Sequence, residues 1–108
     1  ALLPNDARYQ LFAGSYLIKT GEVDKGIPYL IRALELSPRK QTMLFELAMA
    51  YTAKKDMVKT EEMLKRAFEL APEFAQAEKY YLQILVQNGK IKAAEEVLKK
   101  YPIKDIAI

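Results

Sequence analysis

Leu30, Ala33, Leu36 and Pro38 recur 34 residues later as Leu64, Ala67, Leu70 and Pro72, within the near-identical strings RALELSPRK and RAFELAPEF. Self-similarity at a fixed period of this length is the mark of a repeat architecture, in which each unit is one small supersecondary element. Stepping back by the same interval from Pro38 lands on Pro4, so ALLPND (residues 1–6) reads as the remnant of a preceding repeat. Gly21, Lys55 and Gly89 keep the same spacing and mark one turn in each of three units, residues 7–40, 41–74 and 75–108. All 108 residues are expected to form one domain.

Within a unit the apolar spacing is helical. Leu44, Leu47, Ala48 and Tyr51 make one stripe, and Val58, Met63, Leu64 and Ala67 the next, which predicts two amphipathic helices per unit. KTGE and QNGK suit the end of a first helix, because glycine takes the left-handed conformation that closes a helix at no steric cost. Pro38 and Pro72 stop the second helix, since proline cannot continue the hydrogen-bond ladder. Pro28 falls inside the second helix of the first unit. It is cheap if that helix starts near Asp24, and an earlier start predicts a kink. Glu61 with Lys65, Glu62 with Arg66, Glu95 with Lys99 and Glu96 with Lys100 stand four apart, acid first. This order supports an exposed helix face at about 0.2 to 0.5 kcal/mol per pair.

Composition narrows the chemistry. There is no Cys and no His, which removes disulfides, thiol nucleophiles, the usual zinc sites and histidine acid/base relays from this chain. Adjacent Glu61/Glu62 and Glu95/Glu96 project about 100° apart on a helix and do not converge on a substrate. The four glycines occur singly and form no phosphate-cradling loop. Lys+Arg 17 against Asp+Glu 14 gives a net charge of +3, with the two signs interspersed. No concentrated basic face stands ready to neutralise phosphates, so no nucleic-acid partner is expected. The apolar runs are far shorter than the roughly 20 residues of a membrane span. The first residues lack a basic region followed by a long apolar one, so no signal peptide is expected. No cofactor, no metal and no catalytic residue is expected, and the segment is expected to be soluble and cytoplasmic.

With these residues in view the sequence resembles the tetratricopeptide repeat family, whose 34-residue signature reads W-x2-L-G-x2-Y, then A-x3-F, a small residue and a closing proline. The second unit fits best, with Leu44 in the tryptophan place followed by Leu47, Ala48, Tyr51, Thr60, Leu64, Ala67 and Pro72. The first carries Ala13, Gly14, Leu17, Gly26, Leu30, Ala33 and Pro38, with polar Gln10 in the aromatic place. The third departs: Glu78 replaces the aromatic, Leu82 the small residue and Tyr101 the alanine, and Pro102 arrives early. Such departures suit a terminal unit. The resemblance implies an all-α fold, a right-handed solenoid of three tetratricopeptide helical hairpins, each an antiparallel helix pair. A fainter resemblance links ELSPRKQTMLFELAMAY and ELAPEFAQAE to the repeat tails of bacterial O-antigen ligase or polymerase-like membrane proteins. It implies a soluble appendage of a glycan-assembly protein.

The family resemblance also implies function, that of a protein-protein interaction scaffold and not an enzyme. In this family the first helices line a concave groove that takes a partner's peptide or helical segment. Carried over residue by residue, the partner-binding positions are Arg8, Leu11, Phe12 and Ser15, then Phe45, Glu46 and Met49, then Lys79, Tyr80 and Gln83. Leu11, Phe12, Phe45 and Met49 would make an apolar centre, and Lys79, Tyr80 and the glutamines a polar end. The alternative is that Phe12, Phe45 and Met49 only pack between neighbouring first helices. Some family members clamp a chaperone's C-terminal carboxylate with Lys, Asn and Arg side chains. The clamp places here hold Leu11, Ser15, Glu46, Gln76 and Tyr80, so an acidic tail is not the expected ligand. A second reading is a structural, self-associating segment of a longer array, joined through exposed repeat ends.

Overall fold

The computed structural model describes residues 5–103, and over that range the chain forms six helices in three hairpins. They are α1 (Ala7–Lys19), α2 (Val23–Leu36), α3 (Gln41–Ala53), α4 (Met57–Leu70), α5 (Ala75–Gln87) and α6 (Ile91–Lys100). Pro4 and the tail residues Ile106 and Ile108 lie outside the described residues. The hairpins stack into a body 45 Å long and 25 by 22 Å across. The core runs through the stack, with Leu30, Leu44, Leu47 and Leu85 the largest side chains wholly removed from water. At about 25 cal/mol per Å² of apolar surface, such burial is the main stabilising contribution.

The turn positions behave as their spacing predicts. Gly21, Lys55 and Gly89 are the described residues with positive φ, at 94°, 62° and 78°. In each hairpin the turn residue's amide donates to the carbonyl three before it, and the next amide donates to the carbonyl five before it: Gly21 to Ile18 and Glu22 to Leu17, Lys55 to Thr52 and Asp56 to Tyr51, Gly89 to Val86 and Lys90 to Leu85. This is the paired closure that satisfies the last free carbonyls of a helix and reverses the chain. Asp6 and Asp56 cap α1 and α4, accepting from the amides of Arg8 (2.8 Å) and Lys59 (3.1 Å). The second helices end at Leu36, Leu70 and Lys100, each two residues before a proline. Pro102 comes four residues short of the repeat, so α6 has 10 residues where α2 and α4 have 14. The second helix of the first unit starts at Val23, one residue before Asp24, and continues through Pro28 to Leu36. The one amide that Pro28 lacks would have met the carbonyl of Asp24, an exposed residue that water can serve.

The hairpins loosen from first to third, and one pair of positions explains why. In the first, α1 and α2 cross at Gly14 and Gly26, where a Cβ on Gly26 would lie 2.7 Å from the carbonyl oxygen of Gly14. The same crossing is Ala48 against Thr60 in the second hairpin. There the Thr60 hydroxyl bonds back to the Asp56 carbonyl (3.0 Å) and lies 3.1 Å from that of Thr52. In the third hairpin it is Leu82 against Ala94, and α5 and α6 are the least closely paired of the three.

Two substitutions test this account. Gly26→Ala raises intrinsic helix propensity by about 1 kcal/mol, yet the contact with backbone predicts a net loss of about 1 to 3 kcal/mol in urea unfolding. A stabilised Gly26→Ala protein would refute the close crossing. Lys55→Gly relieves a left-handed residue and should raise stability by up to about 1 kcal/mol, read as a higher thermal midpoint with unchanged helicity.

Candidate functional site

An apolar cleft lies between the second and third hairpins. No Cα atom of α3 comes within 8 Å of one in α5, whereas α1 and α3 do approach that closely. Instead α5 seats on α4, where the rings of Phe68 and Tyr81 stack at 5.5 Å. The gap left between α3 and α5 is a groove of about 720 Å³. Phe45, Met49 and Thr52 from α3 form one wall, and Gln76 and Tyr80 from α5, with Phe74 before it, form the other. Thr60 and Leu64 from α4 lie at the floor, beside Ala48 and Ala53.

The walls differ in rigidity. Phe45 is half-buried against the core and meets Tyr80 of the opposite wall edge to face at 5.6 Å. Met49 is 67% exposed and carries a flexible thioether side chain, able to shape itself to what it covers. The polar atoms at the floor are occupied. The Thr52 hydroxyl reaches the Ala48 carbonyl at 2.8 Å and the Thr60 hydroxyl at 3.1 Å, so the groove presents methyl groups and ring faces.

The ten positions carried over from the sequence divide accordingly. Phe45, Met49 and Tyr80 line the groove. Glu46 and Ser15 meet across the first and second hairpins, Ser15 donating to Glu46 at 3.3 Å. Arg8 folds back onto Asp6, its guanidinium 2.8 Å from the carboxylate. That hydrogen bond holds the Asp6 carboxyl below its ordinary range. Leu11 packs on the core, and Phe12 stacks on Tyr16 one turn along its own helix, ring centres 6.4 Å apart. Half-buried Lys79 and exposed Gln83 sit on α5 and do not line the groove. Phe74, Leu64, Thr60 and Ala53 line it without having been assigned to it. The repeat register places Leu64 and Thr60 inside the hairpin and Phe74 in a loop, and the α3–α5 gap opens onto them.

Two carboxylates stand out: Glu61, which departs from the solvated helix face expected of it, and Glu78, which stands in the aromatic place of the third unit. Glu61 does not pair with Lys65. It accepts from the Asn88 amide at 2.9 Å and the Lys90 ammonium at 2.8 Å, tying α4 to the turn after α5. Burial alone would raise its pKa, but Asn88 and Lys90 outweigh that and hold the carboxyl below its ordinary value. Glu78, 3% exposed, occupies the place held one repeat earlier by Leu44. Its Oε2 has no hydrogen-bond partner among the described residues, and burial pushes its carboxyl up. It faces a separate hollow of about 390 Å³ beside Pro72, Tyr101 and Ile103. No three of His, Cys, Asp and Glu gather into a metal-binding group among the described residues. No helix there is long and apolar enough to cross a membrane.

Because the folded state binds the Glu78 proton more tightly than the unfolded chain, its contribution to stability falls as pH rises from the ordinary carboxylate range through the raised folded value. Glu78→Leu should therefore stabilise the protein at pH 7 by about 1 to 3 kcal/mol, the usual cost of an unsatisfied buried polar group. The gain should shrink at acid pH. Urea titrations of both proteins at pH 3.5, 5 and 7 check this, and a pH-independent difference would contradict it.

Against known proteins, a family model described as tetratricopeptide repeat matches residues 7–40 and 42–74. No curated protein matches the chain by sequence. Among solved structures, one titled "Crystal structure of MamA" superposes with a TM-score of 0.79 at 21% identity, over 93% of this chain and 58% of that one. "MamA 41-end from Desulfovibrio magneticus RS-1" gives 0.75 at 22% identity, over 91% of this chain and 55% of that one. The chain thus spans a little over half the length of these MamA chains. "Second TPR of Spaghetti (RPAP3) bound to HSP90 peptide SRMEEVD" gives 0.73 at 17% identity, over 91% of both chains. At these identities the likeness is one of fold.

Proposed function

Because the chain belongs to the tetratricopeptide repeat family, we propose that it is a protein-interaction scaffold that receives an apolar segment of a partner in the groove between α3 and α5. The observation that carries this reading is the groove itself, about 720 Å³ walled by Phe45, Met49, Phe74 and Tyr80 over a floor whose hydroxyls are already bonded. A site with no free polar atoms at its floor gains from displaced water and from ring contacts, and would leave a buried charge unpaired. The matching ligand is a short helix or extended stretch that inserts one or two large apolar side chains, with Gln76 and the Tyr80 hydroxyl serving its rim.

The RPAP3 domain of the same fold binds an HSP90 peptide ending in Glu-Glu-Val-Asp. That acidic type of ligand does not suit this chain. The clamp places hold Leu11, Ser15, Glu46, Gln76 and Tyr80, and Glu46 adds a negative charge where an acidic tail would want a positive one. Catalysis is not part of the proposal, since the groove brings no acid, base or nucleophilic pair together.

Peptides selected from a random display library on the 108-residue chain should be rich in Leu, Phe and Met at helical or alternate spacing. Their affinity should fall tenfold or more, about 1.4 kcal/mol, for Met49→Glu. Met49 is exposed, so that variant should keep wild-type helicity and unfolding midpoint. Selected peptides that are acidic and poor in apolar residues, or binding indifferent to Met49→Glu, would rule the groove out.

A further inference from the structure

Glu78 is almost wholly buried, and its Oε2 has no hydrogen-bond partner among the described residues. One repeat earlier the same place is closed from within the second hairpin: Leu44, Ala67 and Phe68 are all buried, and the Gln41 side chain donates to the Ala67 carbonyl at 2.7 Å. The third hairpin replaces each of these, with Glu78 for Leu44, Ala75 for Gln41, Tyr101 for Ala67 and Pro102 for Phe68. Ala75 withdraws the amide, and α6 ends at Lys100 where α4 continues through the equivalent turn to Leu70. The hollow of about 390 Å³ opens here, between Pro72, Glu73 and Ala75 on one side and residues 100–103 on the other. It arises from substitutions within the third hairpin.

The chemistry of this hollow has a definite sign. Pro72, Pro102, Ile103 and the Tyr101 ring give it apolar walls, Glu78 a carboxyl group within, and exposed Glu73 a second one. Lys100 is on the same lining, but its ammonium lies over the Tyr101 ring, 5.6 Å from the centre, and leaves the Glu78 Oε2 unpaired. A buried carboxyl group without a partner costs stability that a leucine would not, and such costs are typical of groups retained for a ligand. A ligand that meets the need donates hydrogen bonds, carries positive charge and offers an aliphatic stem to the walls. Lysine and arginine side chains have that form. An anion would face two carboxylates.

We propose that the hollow takes a lysine or arginine side chain of the partner, its cationic head on Glu78 and its stem against Pro72, Pro102 and Ile103. Phe74 walls the apolar groove while its neighbours Glu73 and Ala75 line the hollow, so a single stretch of backbone lies between the two. That one partner fills both rests on the groove reading, whereas the hollow's preference for a cation does not. The partner segment then carries a basic residue beside its apolar anchors. Groove and hollow together select such a mixed segment, and discriminate against one that is apolar throughout or acidic.

NMR titrations of the 108-residue chain with N-acetyl-arginine amide, N-acetyl-lysine amide and the neutral N-acetyl-citrulline amide provide the test. Both cations should shift the backbone amides of Glu78, Tyr101 and Ile103 saturably, with dissociation constants on the order of 1 to 10 mM. The citrulline compound should bind about tenfold more weakly or not at all. Glu78→Gln should weaken both cations by a similar factor, and Glu78→Leu, the more stable protein, serves if the glutamine variant does not fold. Met49→Glu should leave these shifts unchanged while it weakens groove peptides, so failure of the groove and failure of the hollow are read separately. Citrulline binding as tight as arginine, cation binding indifferent to Glu78→Gln, or no binding up to about 50 mM overturns the proposal. Groove-binding peptides indifferent to Glu78→Gln overturn the shared partner. Cation binding that appears only in Lys104→Ala assigns the hollow to the chain's own Lys104, which lies outside the described residues, and overturns the partner as occupant.

Discussion

Each hairpin turns on the crossing of its two helices, and the residues at that crossing set the spacing of everything packed around them. Gly14 and Gly26 let two backbones touch, and adding a single methyl there drives it to 2.7 Å from a carbonyl oxygen. Interiors are packed densely enough that such a contact cannot be absorbed without moving a helix. With Ala48 and Thr60 the crossing widens by side chains, and the Thr52 and Thr60 hydroxyls close on each other at 3.1 Å so that no polar atom is stranded. With Leu82 and Ala94 the crossing is wider again. The graded series, small to large along one chain, accompanies the change from a tight first hairpin to a third whose α5 leans on α4 and stands away from α3.

That change of posture makes the groove, and it accounts for which parts of the molecule were legible from sequence. Period, turns and helix ends follow from local chemistry: positive φ at Gly21, Lys55 and Gly89, and helices that finish two residues before proline. Each of these depends on one or two residues and their neighbours in the chain, so the repeat announces them. The early Pro102 likewise shortens α6 as a single residue must. The groove depends instead on the gap between α3 and α5, and no residue in the sequence carries that distance. Phe45, Met49 and Tyr80 could be placed on the right helices because the register assigns a face to each. Leu64 and Thr60 could not, since the register puts them inside a hairpin and only the opened gap makes them a floor.

Charged side chains were the least legible, for a related reason. An acid four residues before a base predicts pairing along a helix, worth a few tenths of a kcal/mol. Any partner that comes into reach by folding competes with so small a preference. Glu61 abandons Lys65 for Asn88 and Lys90, 27 and 29 residues away, because the third hairpin brings an amide and an ammonium to it in a partly buried seam. Arg8 abandons the groove for Asp6, which caps its helix, lies two residues away and also accepts from the Arg8 backbone amide. Glu78 gains no partner and keeps its leucine's place at the expense of burying a carboxyl group. In each case the outcome is set by desolvation and proximity in the folded stack.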